Sequence, residues 1–236
     1  MSRLIQEDFC KLCDFIKSYR IEGIIVNEEA KTILSTYHKK YFAYLILIEE
    51  LHQHINDTTF DNYLSTPQYD FLQESCSDVG QAFFLLFHGC YKGAKLLLRS
   101  SIENYLKAIG MDENPKLPTT KSVYEVFDVT KTTKAFRGNK EKLHSQLRDE
   151  YVNLCQDVHT ADKMHMSSIS ALSHFPCILI NEASAITKMV QRLVSIYVTI
   201  IALKYNQIYH LQNFNHKEIC NKAIIKEFKK EVHNIE

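Results

Sequence analysis

Apolar residues recur at spacings of three and four along most of this chain, the period of a helix with one face turned inward. Over 3–20 that stripe is Leu4, Ile5, Phe9, Leu12, Cys13, Phe15 and Ile16. A second helix is expected over 28–56, with Asn27 as its N-cap. The polar run "NDTTFDNYLSTPQ" breaks the pattern, and Pro67 suits the first turn of a helix running through "FLQESCSDVGQAFFLLF" toward Gly89. The stretch "GCYKGAKLLLRSSIENYLKAIG", 89–110, either continues that helix with a bend or starts another. Gly89 and Gly93 leave a bare groove for a neighbouring helix, and Gly110 is expected as a C-cap.

Two prolines three residues apart make "DENPKLPTTK" a loop. A short helix near 120–127 precedes the polar, locally basic "DVTKTTKAFRGNK", and a helix over about 140–157 follows. The next run, "HTADKMHMSSISALSHFP", has little periodicity. A long helix, 178–209, carries Ile186, Met189, Val190, Leu193, Ile196, Tyr197 and Ile200 on one side. A last helix, 216–234, sets Ile225, Phe228, Val232 and Ile235 at helical spacing. The expected architecture is an irregular all-α multi-helix bundle, one domain over 1–236. Its parts are N-terminal helices in 1–60, a core in 66–212 and an amphipathic C-terminal helix in 213–236.

Composition narrows this picture. Only 6 Gly and 4 Pro occur in 236 residues, too few for the turns of a sandwich or barrel. With 45% hydrophobic residues the chain can bury one sizeable core. Lys+Arg and Asp+Glu both number 28, so any nucleic-acid contact must come from a local patch. Arg3, Glu7 and Asp8 interrupt the first apolar residues, which therefore do not read as a signal peptide, and the seven cysteines follow no compact spacing. A cytoplasmic protein is expected. The most apolar run, "LVSIYVTIIAL" (193–203), is too short to span a bilayer and reads as a buried helix, so no membrane partner is expected.

Several motif classes drop out. Cys10 and Cys13 form a C-x-x-C inside a helix, without the second pair of a zinc ribbon or the strand of a thioredoxin-like site. They read as small apolar residues on a buried stripe. His159, His165 and His174 lie near Asp157 and Asp162, but no H-E-x-x-H or i,i+4 histidine pair presets a metal geometry. No G-x-G-x-x-G, P-loop or G-x-S-x-G occurs, and no cofactor is expected.

What remains is polar chemistry on helices. Arg99 and Glu103 are four apart, hence about 5–6 Å at Cβ on one face, and Lys95 lies one turn earlier. In "YVNLCQDVHTAD", Tyr151, Leu154, Cys155 and Val158 form the inner face of a helix that ends at His159. If this face meets the 89–110 helix, Arg99, Glu103 and His159 share one polar cluster, and buried charges find partners. A second arrangement pairs Arg137 with His144, seven residues apart. Metal-independent RNA cleavage needs a base for the 2′-hydroxyl proton and a cation for the developing phosphorane charge, roles that histidine and arginine suit. Lys131, Lys134, Arg137, Lys140 and Lys142 make a basic loop for RNA backbone contact.

The helix "HGCYKGAKLLLRSSIENYLK", followed some fifty residues later by "YVNLCQDVH", resembles a pattern in prokaryotic helical proteins related to the HEPN superfamily. There a helix carries G-x-Y-x-x-A, then L-R-S and an acidic residue four after the Arg, and a later helix ends in Y-x-x-L-S-x-x-V-H. The likeness covers roughly 80 to 162, about a third of the chain. It implies a helical bundle, frequently a dimer, acting in abortive infection, toxin–antitoxin or other anti-phage systems, whose active members are metal-independent ribonucleases. Gly89, Tyr91, Ala94, Arg99 and Glu103 match the first helix, and Tyr151, Leu154, Val158 and His159 the second. Catalytic members place an Arg four to six residues before the His, where this chain has Asn153, Leu154 and Cys155; Arg148 is too far back. Either Arg99 supplies the cation, or Arg137 and His144 are the motif, or the domain does not cleave RNA. The first of these gives a candidate site of His159, Arg99, Glu103 and Tyr151, and the second the pair Arg137 and His144. The alternative is a non-catalytic helical binding or regulatory subunit of a defence complex; the partners expected are RNA and either a second copy of the chain or a protein from the same operon.

Overall fold

The chain's structure, a computed structural model, describes residues 3–158, 169 and 171–234. Ten α-helices and no strand occur among them: α1 (Arg3–Ser18), α2 (Glu28–His52), α3 (Thr66–Phe87), α4 (Tyr91–Gly110), α5 (Val123–Thr130), α6 (Glu141–Val158), α7 (Ile180–Lys204), α8 (Asn206–Leu211), α9 (Phe214–Ala223) and α10 (Lys229–His233). The fold is an all-α multi-helix bundle.

The starts of the helices follow local chemistry. Asn27 accepts from the Ala30 amide at α2. At α3, Ser65 and Gln68 form a reciprocal capping box with Pro67 in the first turn. At α5 and α9 the cap is one-sided: Ser122 accepts from the Glu125 amide and Asn213 from the His216 amide.

Several ends differ from the periodicity. The second helix stops at His52 rather than 56, because Asn56 adopts a left-handed φ of 59° and its amide reaches the Leu64 carbonyl at 2.7 Å. The long helix breaks at Tyr205 and resumes as α8. The last helix is two pieces, because Ile224 turns extended after α9, and the chain then puts Phe228 and Val232 into the core. Gly110 is not a left-handed cap: Met111 closes α4 in a right-handed conformation, and a Cβ on Gly110 would stand 2.7 Å from Leu117 Cδ1. A close approach of the following loop is what requires glycine there.

α3 and α4 form a helical hairpin over the turn at Gly89, whose φ of +82° suits glycine. A Cβ on Gly93 would meet Leu85 Cδ1 at 2.9 Å, so this bare position is where the hairpin closes. α7 runs through the middle, packed against α2, α3, α4, α6 and α9. It is the one described helix long and apolar enough to cross a membrane, and 67% of its apolar window is buried inside the bundle. One hydrophobic core extends from Ile33 to Val232. The expected inward stripe of α1 is different: Phe9 is 58% and Ile16 63% exposed, and Cys10 faces solvent. Phe15 touches Tyr19, which stacks on His88, at the edge of the bundle.

Candidate functional site

α4 and α6 pack against each other, and their contact brings together three of the four residues expected at a site. Arg99 Nε donates to the Tyr151 hydroxyl at 2.9 Å. That hydroxyl donates to Glu103 Oε1 at 2.8 Å, and Arg99 Nε lies 3.4 Å from the same oxygen. The guanidinium also sits over the Tyr151 ring, 5.2 Å from its centroid.

The three differ in exposure. Tyr151 is 4% exposed, whereas the side chains of Arg99 and Glu103 keep 29% and 28% of their surface. Burial, opposed by the Arg99 hydrogen bond, pushes the Tyr151 phenol well above its ordinary value. It is therefore a neutral donor at physiological pH and not a base. Arg99 spends only Nε on this network; no described residue accepts from its two terminal nitrogens. The arginine is held from behind with its fork uncommitted.

The flanks of the site are also ionic. Lys95, one turn before Arg99, lies 3.5 Å from Glu182 in the first turn of α7. Glu150, beside Tyr151 on α6, pairs with Arg192 of α7. His159, the fourth residue expected here, lies outside the described residues, immediately after α6. Of the residues considered for a metal, His165 and Asp162 lie outside the described residues, as does the side chain of Asp157. Among the described residues no group of three His, Cys, Asp or Glu side chains stands close enough to hold a metal ion.

The second arrangement is built differently. His144 is 2% exposed, held edge-on by Phe127 and Phe136 with ring centroids at 5.5 and 5.0 Å. Its Nε2 is 3.1 Å from the Thr130 hydroxyl. Burial first, then the nearby Lys131, lowers its pKa to about 4, so it stays neutral. Arg137 sits in the loop before α6, its Nε donating to the Thr132 carbonyl at 2.5 Å. Loop geometry thus turns Arg137 back on its own chain instead of along the helix with His144.

The basic loop is divided. Lys142 Nζ is 2.5 Å from Glu227, and Lys140 is 3.9 Å from Glu231, so the C-terminal segment neutralises both. Lys131, Lys134 and Arg137 remain exposed, with no side-chain ion pair among the described residues.

Periodicity did not reveal the polar network inside the core. Tyr44 OH donates to Ser75 Oγ at 3.1 Å, which donates to the Ser101 carbonyl at 2.9 Å, and Ser101 Oγ lies 3.1 Å from Tyr197 OH. Nor did the sequence flag Lys40, whose ammonium donates to Ser195 Oγ across 155 residues. Both depend on which helices become neighbours. An all-α bundle with a half-open Arg–Tyr–Glu cluster between two helices is the class that the fold and site define. No family model, curated protein or solved structure matches the chain significantly.

Proposed function

We propose that this chain is a HEPN-like protein of a prokaryotic defence or toxin–antitoxin system, and that the α4–α6 seam is a metal-independent RNA-cleaving site. The observation that carries the reading is Arg99: fixed through Nε by Tyr151 and Glu103, part-exposed, and with both terminal nitrogens uncommitted among the described residues. A guanidinium held this way offers two parallel donors to the non-bridging oxygens of a phosphate.

In the reaction, His159 takes the proton of an RNA 2′-hydroxyl, and the freed oxygen attacks the adjacent phosphorus. Arg99 stabilises the charge that grows on the phosphorane, and the bond to the 5′-oxygen breaks as that oxygen takes a proton from water. The products are a 2′,3′-cyclic phosphate and a 5′-hydroxyl. Tyr151 and Glu103 position Arg99 and do not touch RNA. The exposed Lys131, Lys134 and Arg137 offer further cationic contacts to the RNA backbone.

Purified protein is incubated with total RNA and with a tRNA pool in EDTA, beside His159→Ala, Arg99→Ala and His144→Ala. Cleavage that survives EDTA, is lost in His159→Ala and Arg99→Ala and persists in folded His144→Ala is the expected result. A second reading, a non-catalytic binding or regulatory subunit, draws on one observation: Tyr151 and Glu103 are satisfied by their own contacts with Arg99. RNA binding without cleavage, or partner binding without RNA binding, would decide for it.

A further inference from the structure

Away from the α4–α6 seam, a groove of about 610 Å³ runs between α2, α7 and α9. Its size falls in the range of small-ligand pockets. Its floor is low because Ala43 and Ala223 are small and buried, and Phe42 and Ile219 stand along its walls. Phe42 is 40% exposed and stacks on His38 with ring centroids 5.6 Å apart.

The charge around this apolar floor has one sign. Lys39, Lys40 and Lys222 line the groove, and none of its lining residues is acidic. Lys222 meets Glu218 at 2.7 Å, but that pair is on the surface, 73% and 51% exposed, where water screens it. Lys40 is the unusual member. It is half-buried, and the one described partner of its ammonium is the neutral Ser195 hydroxyl at 2.8 Å. An ammonium has three donors, so two remain uncommitted among the described residues. Burial and then the neighbouring Lys229 pull its pKa below the ordinary lysine value, the mark of a cation set where its charge is poorly compensated.

From this arrangement we infer that the α2–α7–α9 groove binds a small amphiphilic anion: one phosphate monoester or carboxylate head joined to an alkyl or acyl body. The head sits at Lys40, between Lys39 and Lys222, where it accepts charge-assisted hydrogen bonds and relieves the repulsion around Lys40. The body lies along Phe42, Ala43, Ile219 and Ala223 and covers apolar surface that water now wets. This site is independent of the RNA reading and stands or falls without it.

The test is calorimetric titration of the whole protein with octyl phosphate below its micelle concentration. Octanoate, inorganic phosphate and octyltrimethylammonium are run in parallel. Octyl phosphate is expected to saturate at one per chain, inorganic phosphate to bind at least tenfold more weakly, and the cationic amphiphile not to bind. Octanoate binding at comparable strength supports a site for either head, and weaker octanoate binding supports a phosphate monoester. Lys40→Met and, separately, the exposed Lys222→Met are each expected to weaken octyl phosphate at least tenfold without lowering the unfolding temperature. Phe42→Ala is expected to weaken octyl phosphate while leaving inorganic phosphate unchanged. Absence of saturable binding, equal binding of the cationic amphiphile, equal binding of inorganic phosphate, or wild-type affinity in both lysine variants overturns the inference.

Discussion

Two hydrogen-bond networks in this bundle use tyrosine hydroxyls to join helices, and they are built to opposite ends. In the core, Tyr44, Ser75, Ser101 and Tyr197 link α2, α3, α4 and α7, and all four residues are fully buried. Tyr105 stacks on Tyr197 at 4.1 Å and donates to its carbonyl. No member carries a charge, and every hydroxyl named has a partner. At the α4–α6 seam, Tyr151 again stands between helices, but its partners are a cation and an anion that reach the surface. The core network satisfies itself completely. The seam satisfies Tyr151 and leaves the Arg99 fork over. A sealed neutral network specifies packing, whereas a charged one with unmade bonds at its rim has capacity for a ligand.

Breaking the core should have the largest effect. Tyr197→Ala removes a buried ring and leaves Ser101 Oγ with the Leu98 carbonyl alone, so we expect a loss of about 3–5 kcal/mol by thermal or denaturant unfolding. The next effect comes from His144, whose pKa of about 4 lies below its ordinary 6.5. Between these values the unfolded chain binds more protons than the folded one, so stability rises with pH. This contribution is complete above about pH 6.5 and is lost as pH falls toward 4, at most about 3 kcal/mol. His144→Gln should flatten that part of the stability–pH curve measured by urea unfolding.

The seam should respond weakly in stability and strongly in function. Tyr151→Phe removes one hydroxyl while Arg99 and Glu103 keep each other, so about 1 kcal/mol of stability should go. RNA cleavage should fall by tenfold or more, since only the longer Glu103 contact is left to position Arg99; an unchanged cleavage rate beside that stability loss would reduce the seam to packing. Smallest of all, Lys142→Ala opens an ion pair whose side chains are about half exposed, and unfolding should shift by no more than about 0.5 kcal/mol.

The helices were legible wherever an apolar stripe ran on uninterrupted, as in α2, α3, α4 and α6. Boundaries were less so, because they depend on partners far along the chain. Asn56 needs Leu64 to make its turn, and Ile224 leaves the helix so that Phe228 can reach the core. The stripe of α1 has the right period, yet Phe9 and Ile16 stay exposed, since periodicity states a capacity for burial and not the presence of a cover. At the site, Arg99 and Glu103 followed from i,i+4 spacing, and Tyr151 from the inner face of its helix. Lys40 with Ser195, and the tyrosine network, could not be read, because helix neighbours are chosen by tertiary packing.

The most direct measurement is the rate of EDTA-resistant RNA cleavage by Arg99→Lys against the unchanged protein, with unfolding temperatures recorded for both. Lysine keeps the positive charge but lacks both the Nε that holds Tyr151 and the fork that meets phosphate. A drop of about a hundredfold in rate is expected, with little change in stability. Wild-type rates in Arg99→Lys, or no cleavage by the unchanged protein, would contradict it.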